Sequence, residues 1–442
     1  MMAPIRLAQE VIDSIIDYLH GDVKSLSNCA LVSRSWTPRA QHNIFAEVTL
    51  PFRSDGIPTA RFTRIQGIVQ QHPEIALMPR RVRIVASEEV ADRVVIGLDS
   101  FAPQWDASYA SSAVQLFPKI RQVAVVDLAC QSLPDLAESI IAAVPAVAAL
   151  IFDSVHFSDA HPEPVWTPPQ NPVTLTVNEA VAHRPASLRK LTIRNLQARH
   201  GVAQCESFAL AESLARRGEL SSLVSLELLS GPGVTQTWLP FLPSIGRQLQ
   251  HCAIAINDVV RDDVGFYRNL TIEHLREKII EFYNALLACP NLRSLGIKYD
   301  GVPSYAEGLA DAYEDPAITP QISPFFLQAL STLLSRAEVP FPELETLAFD
   351  IFSTVEGLAL CGDAWTALRD ILCARERYPR FRHLRVELEE MGSGYGPWRE
   401  LQAVRSRNAD ARAGLLRAQL RMFEESGITV SVATRDSQYW MM

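Results

Sequence analysis

The sequence predicts an α/β protein: a short all-α segment of three helices at residues 1–50, followed by an irregular α/β repeat array at residues 51–442. Three observations support this fold class. Apolar residues recur at helical spacing near the N-terminus, one strand pattern recurs along the rest of the chain, and helical patterns separate its copies. Because a solenoid grows by repetition, the 442 residues do not require several separate cores.

The first predicted helix lies in the segment LAQEVIDSIIDYLHGD, which begins at Leu7. Its apolar side chains share one helical face, which comprises Val11, Ile12, Ile15, Ile16 and Leu19. Gly21 is suited to ending this helix, and the carboxylate of Asp22 is suited to capping the next one.

Two further helices are predicted before residue 50. The second is expected to carry Leu26, Cys29, Val32 and Trp36 on one face. Thr37-Pro38 marks a break, because the residue before a proline avoids the helical region, and the same pair suits the start of a third helix. That helix has an apolar side formed by Ala40, Ile44 and Phe45, and Val48-Thr49-Leu50 predicts a strand.

Three short helices in roughly 45 residues are near the lower size limit for an independent fold. Their two wide apolar stripes and a tryptophan exceed what so small a unit buries by itself. Two interpretations remain open. The surplus apolar surface packs on the rest of the same chain, or it binds a partner protein.

The segment from residue 5 to about residue 50 resembles the F-box motif, in the version common in mushroom-forming fungi. The resemblance depends on LAQEVIDSIIDYL, on SLSNCALVSRSWTPRA and on the stretch from Phe45 to Leu50. F-box motifs usually begin with Leu-Pro, whereas Leu7 is followed here by Ala8. That proline helps to seat the first turn on the partner, so the substitution implies weaker docking.

The resemblance implies that these helices bind the small Skp linker subunit, which joins F-box proteins to a cullin-RING ubiquitin ligase. The implied contact residues are Leu7, Ala8, Val11, Ile12, Ile15, Leu26, Cys29, Leu31, Val32 and Trp36. Some of them belong to the core of the three-helix unit itself. Trp36 has both interpretations open, as a core residue and as an anchor of the interface.

The remaining chain repeats a short pattern: a proline or loop residue, an apolar residue, two others, an apolar residue, any residue, and a further apolar residue. Eight copies are FPKIRQVAVVDL (117–128), VPAVAALIFDSV (144–155), PASLRKLTIRNL (185–196), LSSLVSLELLSG (220–231), GRQLQHCAIAIND (246–258), CPNLRSLGIKYD (289–300), FPELETLAFDIF (341–352) and YPRFRHLRVELE (378–389). MPRRVRIV (78–85) is a weaker copy, and GITVSV (427–432) is suited to a final strand. Each copy ends in a period-two segment, which predicts a strand with one buried face.

Helical patterns separate these strands. The clearest are Ala60 to Gln71, Leu133 to Ala143, Phe208 to Arg217, Ile272 to Ala288, Pro324 to Arg336, Ala364 to Arg377 and Trp398 to Glu424. The alternation resembles leucine-rich repeats, whose L-x-x-L-x-L core is visible at Leu188-Leu191-Ile193 and Leu292-Leu295-Ile297. The ladder asparagine of that family is mostly missing, with Asn195 and Asn257 only approximate. The rival fold is an open, doubly wound α/β sheet.

If the strands line a curved sheet, the residues between the buried ones face its concave side. These candidate substrate contacts are Thr192, Arg194, Glu227, Lys298, Asp350, Arg385 and Glu387. Their mixed charge suits a protein or peptide ligand. Long loops near residues 158–174, with Trp166 in a proline-rich stretch, and near residues 301–320 are alternative contact regions.

Composition excludes several other classes of function. A net charge of −9 without a basic stripe argues against a nucleic-acid binder. The seven cysteines show no zinc-like spacing, which fits a cytoplasmic or nuclear protein. The N-terminal stretch carries acidic residues and does not read as a signal peptide, and no apolar run is long enough to span a membrane.

No motif of catalysis is present, so we predict neither catalytic residues, nor a metal, nor a cofactor. His156, Asp159 and His161 cluster in the sequence, but they lack a second ligand group at fixed spacing. Gly392-Ser-Gly394-Tyr-Gly396 has the wrong spacing for a phosphate loop and predicts a turn.

The sequence therefore predicts a non-catalytic adaptor that docks to the Skp linker and recruits a protein substrate. A repeat scaffold without a ligase role is the first alternative. A hydrolase or transferase with an unrecognised site is the second.

Overall fold

The computed structural model describes residues 8–19, 22–52, 59–86, 107–157, 187–196, 202–230, 232–257, 272–300, 319–336, 338–352, 358–390 and 398–436. The chain divides into two units, Met1–His156 and Phe157–Met442. The predicted loop at 158–174 and the glycine-rich turn at 392–396 lie outside the described residues, as does most of the predicted loop at 301–320.

Unit 1 contains six α-helices among its described residues. They are α1 (Gln9–Tyr18), α2 (Val23–Val32), α3 (Thr37–Ile44), α4 (Ala60–Gln71), α5 (Ala107–Gln115) and α6 (Leu133–Ala143). Side-chain caps begin several of them. The Asp22 carboxylate accepts from the Ser25 backbone N–H at 3.0 Å at the start of α2, and the Thr59 hydroxyl accepts from the Phe62 N–H at 3.2 Å at the start of α4.

The strands of unit 1 pair in parallel and in chain order. They are β1 (Glu47–Phe52), β2 (Arg81–Ala86), β3 (Gln122–Val126) and β4 (Ala149–Asp153). The predicted strand at 48–50 is confirmed within β1, and the weak copy at 78–85 forms β2. A short pair of two-residue strands, Ala129–Cys130 and His156–Phe157, follows β3 and β4.

Unit 2 alternates helices with seven described strands. The helices are α7 (Val202–Arg216), α8 (Pro232–Trp238), α9 (Leu242–Ile245), α10 (Ile272–Leu286), α11 (Thr319–Leu334), α12 (Gly362–Leu372) and α13 (Trp398–Glu425). The strands are β5 (Lys190–Arg194), β6 (Ser225–Leu229), β7 (His251–Asn257), β8 (Ser294–Asp300), β9 (Thr346–Phe352), β10 (His383–Glu390) and β11 (Thr429–Asp436).

These seven strands also pair in parallel and in chain order. Every predicted strand opening therefore forms a strand, including the final one at 427–432. A doubly wound sheet would reverse the strand order, so that rival is wrong within each unit. The mixed α/β class with parallel strands is confirmed.

Eight of the eleven strands open with the same hydrogen-bond arrangement. The backbone N–H groups of Arg293 and Ser294 both donate to the carbonyl of Gln250, at 2.8 and 3.0 Å. The N–H groups of Glu345 and Thr346 donate in the same way to the carbonyl of Arg293, at 2.8 and 2.9 Å. Because the residues before each strand repeat in sequence, they repeat the same backbone geometry.

The buried face of the strands forms the core with the helices. Phe349 of β9 contacts the ring of Phe326 of α11 at 5.6 Å and the ring of Trp365 of α12 at 5.4 Å, both edge-on. Edge-to-face aromatic pairs are favourable beyond their buried area. In this part of unit 2, the helices before and after a strand both pack on its buried face.

A left-handed residue follows β3, β4 and β5. Asp127, Ser154 and Asn195 have φ values of 53°, 54° and 49°. Asp and Asn tolerate this conformation better than most residues because their short side chains form local hydrogen bonds. Asn195, the approximate match to a ladder asparagine, therefore adopts the same left-handed turn as Asp127 and Ser154.

Helix ends differ from the prediction by a few residues. α11 begins at Thr319, five residues before the predicted Pro324, and α12 ends at Leu372, five before Arg377. The second N-terminal helix ends at Val32, so its predicted extension to Trp36 is wrong. Ser33 leaves the helical region, with φ −152° and ψ 141°, and Trp36 instead precedes α3.

Candidate partner-binding surfaces

The three N-terminal helices enclose a small core. Ile16 of α1, Leu26 of α2 and Ala40 of α3 are at most 1% exposed. Six partly buried side chains pack on them: Ile12, Leu19, Cys29, Ala30, Trp36 and Ile44. One residue from each helix thus holds the unit together, as expected for three amphipathic helices too short to be stable alone.

A polar contact fixes α1 against α3. The Arg39 guanidinium pairs with the Asp17 carboxylate through two of its nitrogens, one of them 2.6 Å from Oδ1. The Asn43 side-chain amide donates to the same Oδ1 at 2.9 Å. These donors hold the pKa of Asp17 below its ordinary value, the Arg39 hydrogen bond being the largest cause.

Helices α1 and α2 present apolar side chains to solvent. Val11, Ile15 and Tyr18 lie along one side of α1 at helical spacing, 46%, 52% and 87% exposed. Val23, Leu31 and Val32 of α2 are 57%, 86% and 67% exposed. We call these six residues the exposed apolar set.

The set is unusual within this chain. Ten large apolar side chains are exposed among the described residues, and six of them fall between Val11 and Val32. Single exposed apolar residues are ordinary, whereas a concentration of them marks an interaction surface.

The predicted linker contacts separate into three groups. Ala8, Val11, Ile15, Leu31 and Val32 are exposed, whereas Ile12, Cys29 and Trp36 are partly buried in the core cluster. Leu26 is 0% exposed and is one of the predicted contacts that belong to the core of the three-helix unit, as was expected for some of them. It is the central core residue of α2. Leu7 lies outside the described residues.

Sequence reasoning missed Tyr18 and Val23. Tyr18 follows Val11 and Ile15 at i+7 and i+3, so helical periodicity extends the exposed stripe to it. Val23 is the first residue of α2, where an apolar side chain at a helix end gave no periodic signal.

In unit 2, the strand residues opposite the core form what we call the open face of unit 2. The register aligns two rows across it. One row is Thr192, Glu227, Ala253, Gly296, Ala348, Arg385 and Ser431, and the next is Ala255, Lys298, Asp350, Glu387 and Ala433. Six of the seven predicted substrate contacts lie in these rows. The seventh, Arg194, is the last residue of β5.

An ionic cluster occupies one part of this face. Glu227 accepts from Lys190, from Arg194 at 2.7 Å, and from the Thr192 hydroxyl at 3.2 Å. Burial would raise the pKa of Glu227, but the two cations outweigh it and hold that pKa below its ordinary value. The carboxylate is therefore charged and already neutralised within the protein.

Thr192 is not available to a ligand. It is 1% exposed, because its short side chain is bound to Glu227 among the longer side chains of Lys190 and Arg194. The prediction that it faces a substrate is wrong. Glu227 is also mostly covered, with 17% of its side chain exposed, whereas Arg194 keeps 40% exposed.

The other predicted contacts lie further along the open face. Lys298 and Asp350 are register neighbours, and Asp350 is in turn beside Glu387. Arg385 pairs with Glu387 and keeps 60% of its side chain exposed, against 18% for Glu387. Small residues, namely Ala253, Ala255, Gly296 and Ala348, separate this group from the Glu227 cluster. The open face of unit 2 therefore carries side chains of both charges, with small residues between the two charged groups.

The described residues provide no group of three or more His, Cys, Asp or Glu side chains placed to hold a metal ion. Burial lowers the pKa of His156, which lies in the short strand after β4. Asp159 and His161, its sequence neighbours in the candidate cluster, lie outside the described residues. Across the described part of the chain, no helix combines the length and apolar character that a membrane crossing requires.

Neither a scan of known protein families nor a search of curated proteins finds a match to this chain.

Proposed function

We propose that this protein is a non-catalytic substrate-recognition adaptor of a Skp/cullin/F-box ubiquitin ligase. Its N-terminal helices dock to the Skp linker, and its repeat region recruits a protein substrate. The observation that carries the proposal is the exposed apolar set, which is concentrated on α1 and α2 within the segment that resembles the F-box motif.

The geometry supports this division of roles within the three helices. Leu26 and Ile16 are buried in the core, whereas Ile15 of α1 and Leu31 of α2 are exposed. A unit that only capped the rest of its own chain would cover these side chains. Burying such residues in a partner is the main favourable term in protein association.

The repeat region is proposed to be a degenerate leucine-rich-repeat-like solenoid. The chain-order parallel pairing, the shared strand openings and the recurrent left-handed turn at Asp127, Ser154 and Asn195 support this assignment. The missing asparagine ladder is its main departure from the family. In this assignment the open face of unit 2, with Arg194, Lys298, Asp350, Arg385 and Glu387, is the substrate surface.

A cytoplasmic or nuclear location accompanies the proposal. All seven cysteines are free, and four of them are buried. Free thiols without disulfides are the pattern of proteins that fold under reducing conditions.

The direct test is a binding assay between the full chain and the purified Skp linker. We expect a stable complex that is weakened by Ile15→Glu, because a carboxylate would be buried against apolar surface. The matched control is Ile280→Glu on α10, since Ile280 is 48% exposed and Ile15 is 52% exposed. A monodisperse chain that ignores the linker at micromolar concentration would refute the adaptor role and favour a scaffold.

The substrate half of the proposal has its own test. Affinity purification with the linker supplied and ubiquitin transfer disabled should retain a substrate. Charge reversal of Arg385, which keeps most of its side chain in solvent, should release it while leaving the linker bound. Retention of the same proteins by the reversed variant would remove Arg385 from the substrate surface.

A further inference from the structure

A cluster of basic side chains lies on unit 1, at the beginning of β2 and β3. Arg81 and Arg83 alternate with the buried Val82 and Ile84, so both point to the face of the strand opposite the core. The cluster is completed by Arg80, Lys119 and Arg121, and all five of its side chains are exposed. We call these five residues the basic patch.

The fold brings these residues together from two distant parts of the chain. The Arg121 backbone N–H donates to the Arg80 carbonyl at 2.8 Å, and the Arg80 guanidinium donates to the Lys119 carbonyl at 3.3 Å. Adjacent strands are about 4.8 Å apart, and Arg81 and Arg83 are separated by about 6.6 Å along β2. Five exposed cations therefore lie at the beginnings of two neighbouring strands, in a protein whose net charge is −9.

Within the described part of the chain, no carboxylate is at ion-pair distance from any of the five cations. Glu47 is the register neighbour of Arg81 on β1 and does not pair with it. Asp127 and Asp153 lie where β3 and β4 end, away from the strand beginnings. Arg83 lowers the pKa of Asp127 by a Coulombic effect and forms no ion pair with it. This contrasts with Glu227 of unit 2, which neutralises the cations beside it.

We propose that the basic patch binds an acidic segment of a partner protein in an extended conformation. Alternate residues of an extended peptide lie on one side about 6.6 Å apart, which matches the spacing of Arg81 and Arg83. Arginine is the side chain best suited to bind carboxylates through two parallel hydrogen bonds.

A nucleic acid fits the patch less well. Proteins that bind single strands combine basic side chains with aromatic ones on which bases stack. The outward positions on β1 to β4 are Glu47, Thr49, Pro51, Arg81, Arg83, Val85, Gln122, Ala124, Ala149, Ile151 and Asp153, none of them aromatic. Asp153, at the end of β4, disfavours an acidic ligand at that end of the strands.

The test uses the full chain and a labelled peptide in which glutamate alternates with serine, with fluorescence anisotropy as the readout. We expect saturable binding that weakens as salt is added. Arg81→Glu combined with Arg83→Glu should reduce affinity by at least about tenfold, which corresponds to about 1.4 kcal/mol. The same peptide with glutamine in place of glutamate should not bind.

Arg61→Glu combined with Arg64→Glu is the matched control. These residues are exposed on α4, the helix that packs Phe62 against Phe52 of β1, and the charge change is the same. We expect the control to change affinity by less than about twofold. An equal loss of peptide affinity in both double variants would mean that binding depends only on net charge, and would overturn the proposal.

Two further results would also overturn it. One is equal binding of the glutamine peptide. The other is tighter binding of a single-stranded RNA of equal charge that requires the same arginines. Arg81→Gln with Arg83→Gln, together with thermal melting, separates lost binding from lost folding. The inference does not depend on the adaptor role, since Skp linker binding should be unchanged in these variants.

Discussion

Two leucines of α2 provide the sharpest test of the surface described for the N-terminal helices. Leu31 is 86% exposed, whereas Leu26 is 0% exposed, although they are five residues apart in one helix. If the exposed apolar set binds the Skp linker, Leu31→Ala should weaken binding and leave the fold intact. Leu26→Ala should destabilise the fold.

The expected magnitudes follow from the burial of each side chain. Complete burial of a leucine side chain contributes about 1.5–3 kcal/mol, and nearly all of Leu31 is available to a partner. Its truncation should therefore cost about 2 kcal/mol of binding, or roughly 30-fold in affinity. A surface substitution changes the free energy of unfolding by about 0.5 kcal/mol or less, whereas Leu26→Ala should cost about 2–5 kcal/mol.

Isothermal titration with the Skp linker measures the first quantity, and denaturant unfolding measures the second. Leu360→Ala serves as the control, because Leu360 is 54% exposed and lies in unit 2. An unchanged affinity for Leu31→Ala, or a loss of stability as large as that of Leu26→Ala, would refute the assignment of Leu31 to a docking surface.

Three further predictions concern the interior. Glu227→Gln should lower the free energy of unfolding by about 1–2 kcal/mol at neutral pH. The pKa of Glu227 is lowered in the folded protein, so its contribution to stability is complete above the pKa of the unfolded chain. That contribution is lost as the pH falls through the folded pKa. The acid unfolding curves of wild type and variant should therefore converge at low pH. Gly246→Ala should destabilise by about 1–3 kcal/mol in thermal melting, since its Cβ would lie 2.3 Å from the Ala288 carbonyl oxygen. Cys252 and Cys289 should resist a thiol reagent until the protein unfolds, because burial raises the pKa of both thiols, that of Cys289 to about 12.

Much of the fold could be predicted because strands and helices follow from the spacing of apolar residues over a few positions. The segment around Leu191 and Ile193 alternates at period two, and a helical pattern with Ser132 before it and Ala143 at its end forms α6 over the predicted residues. These signals depend on residues a few positions apart. They fail at helix ends, as at Ser33, where the backbone leaves the helix although the apolar spacing continues to Trp36.

The candidate surfaces were predicted less completely, for a physical reason. Helical spacing places Leu26 and Leu31 in one apolar helix, but only packing against Ile16 and Ala40 covers Leu26. Alternation along β5 likewise predicts that Thr192 faces outwards, yet the side chain of Glu227 on the neighbouring strand covers it. Coverage depends on neighbours that are distant in sequence.

The sequence by itself determined the α/β class, the order of strands and helices, and the surplus of apolar residues near the N-terminus. Each of these follows from spacing within a short window of the chain. Only the tertiary structure decided which apolar residues remain exposed on α1 and α2, that Glu227 is neutralised by Lys190 and Arg194, and that Arg80 lies beside Arg121. Strand pairing brings such residues together across long separations, and no local pattern records the distance between them.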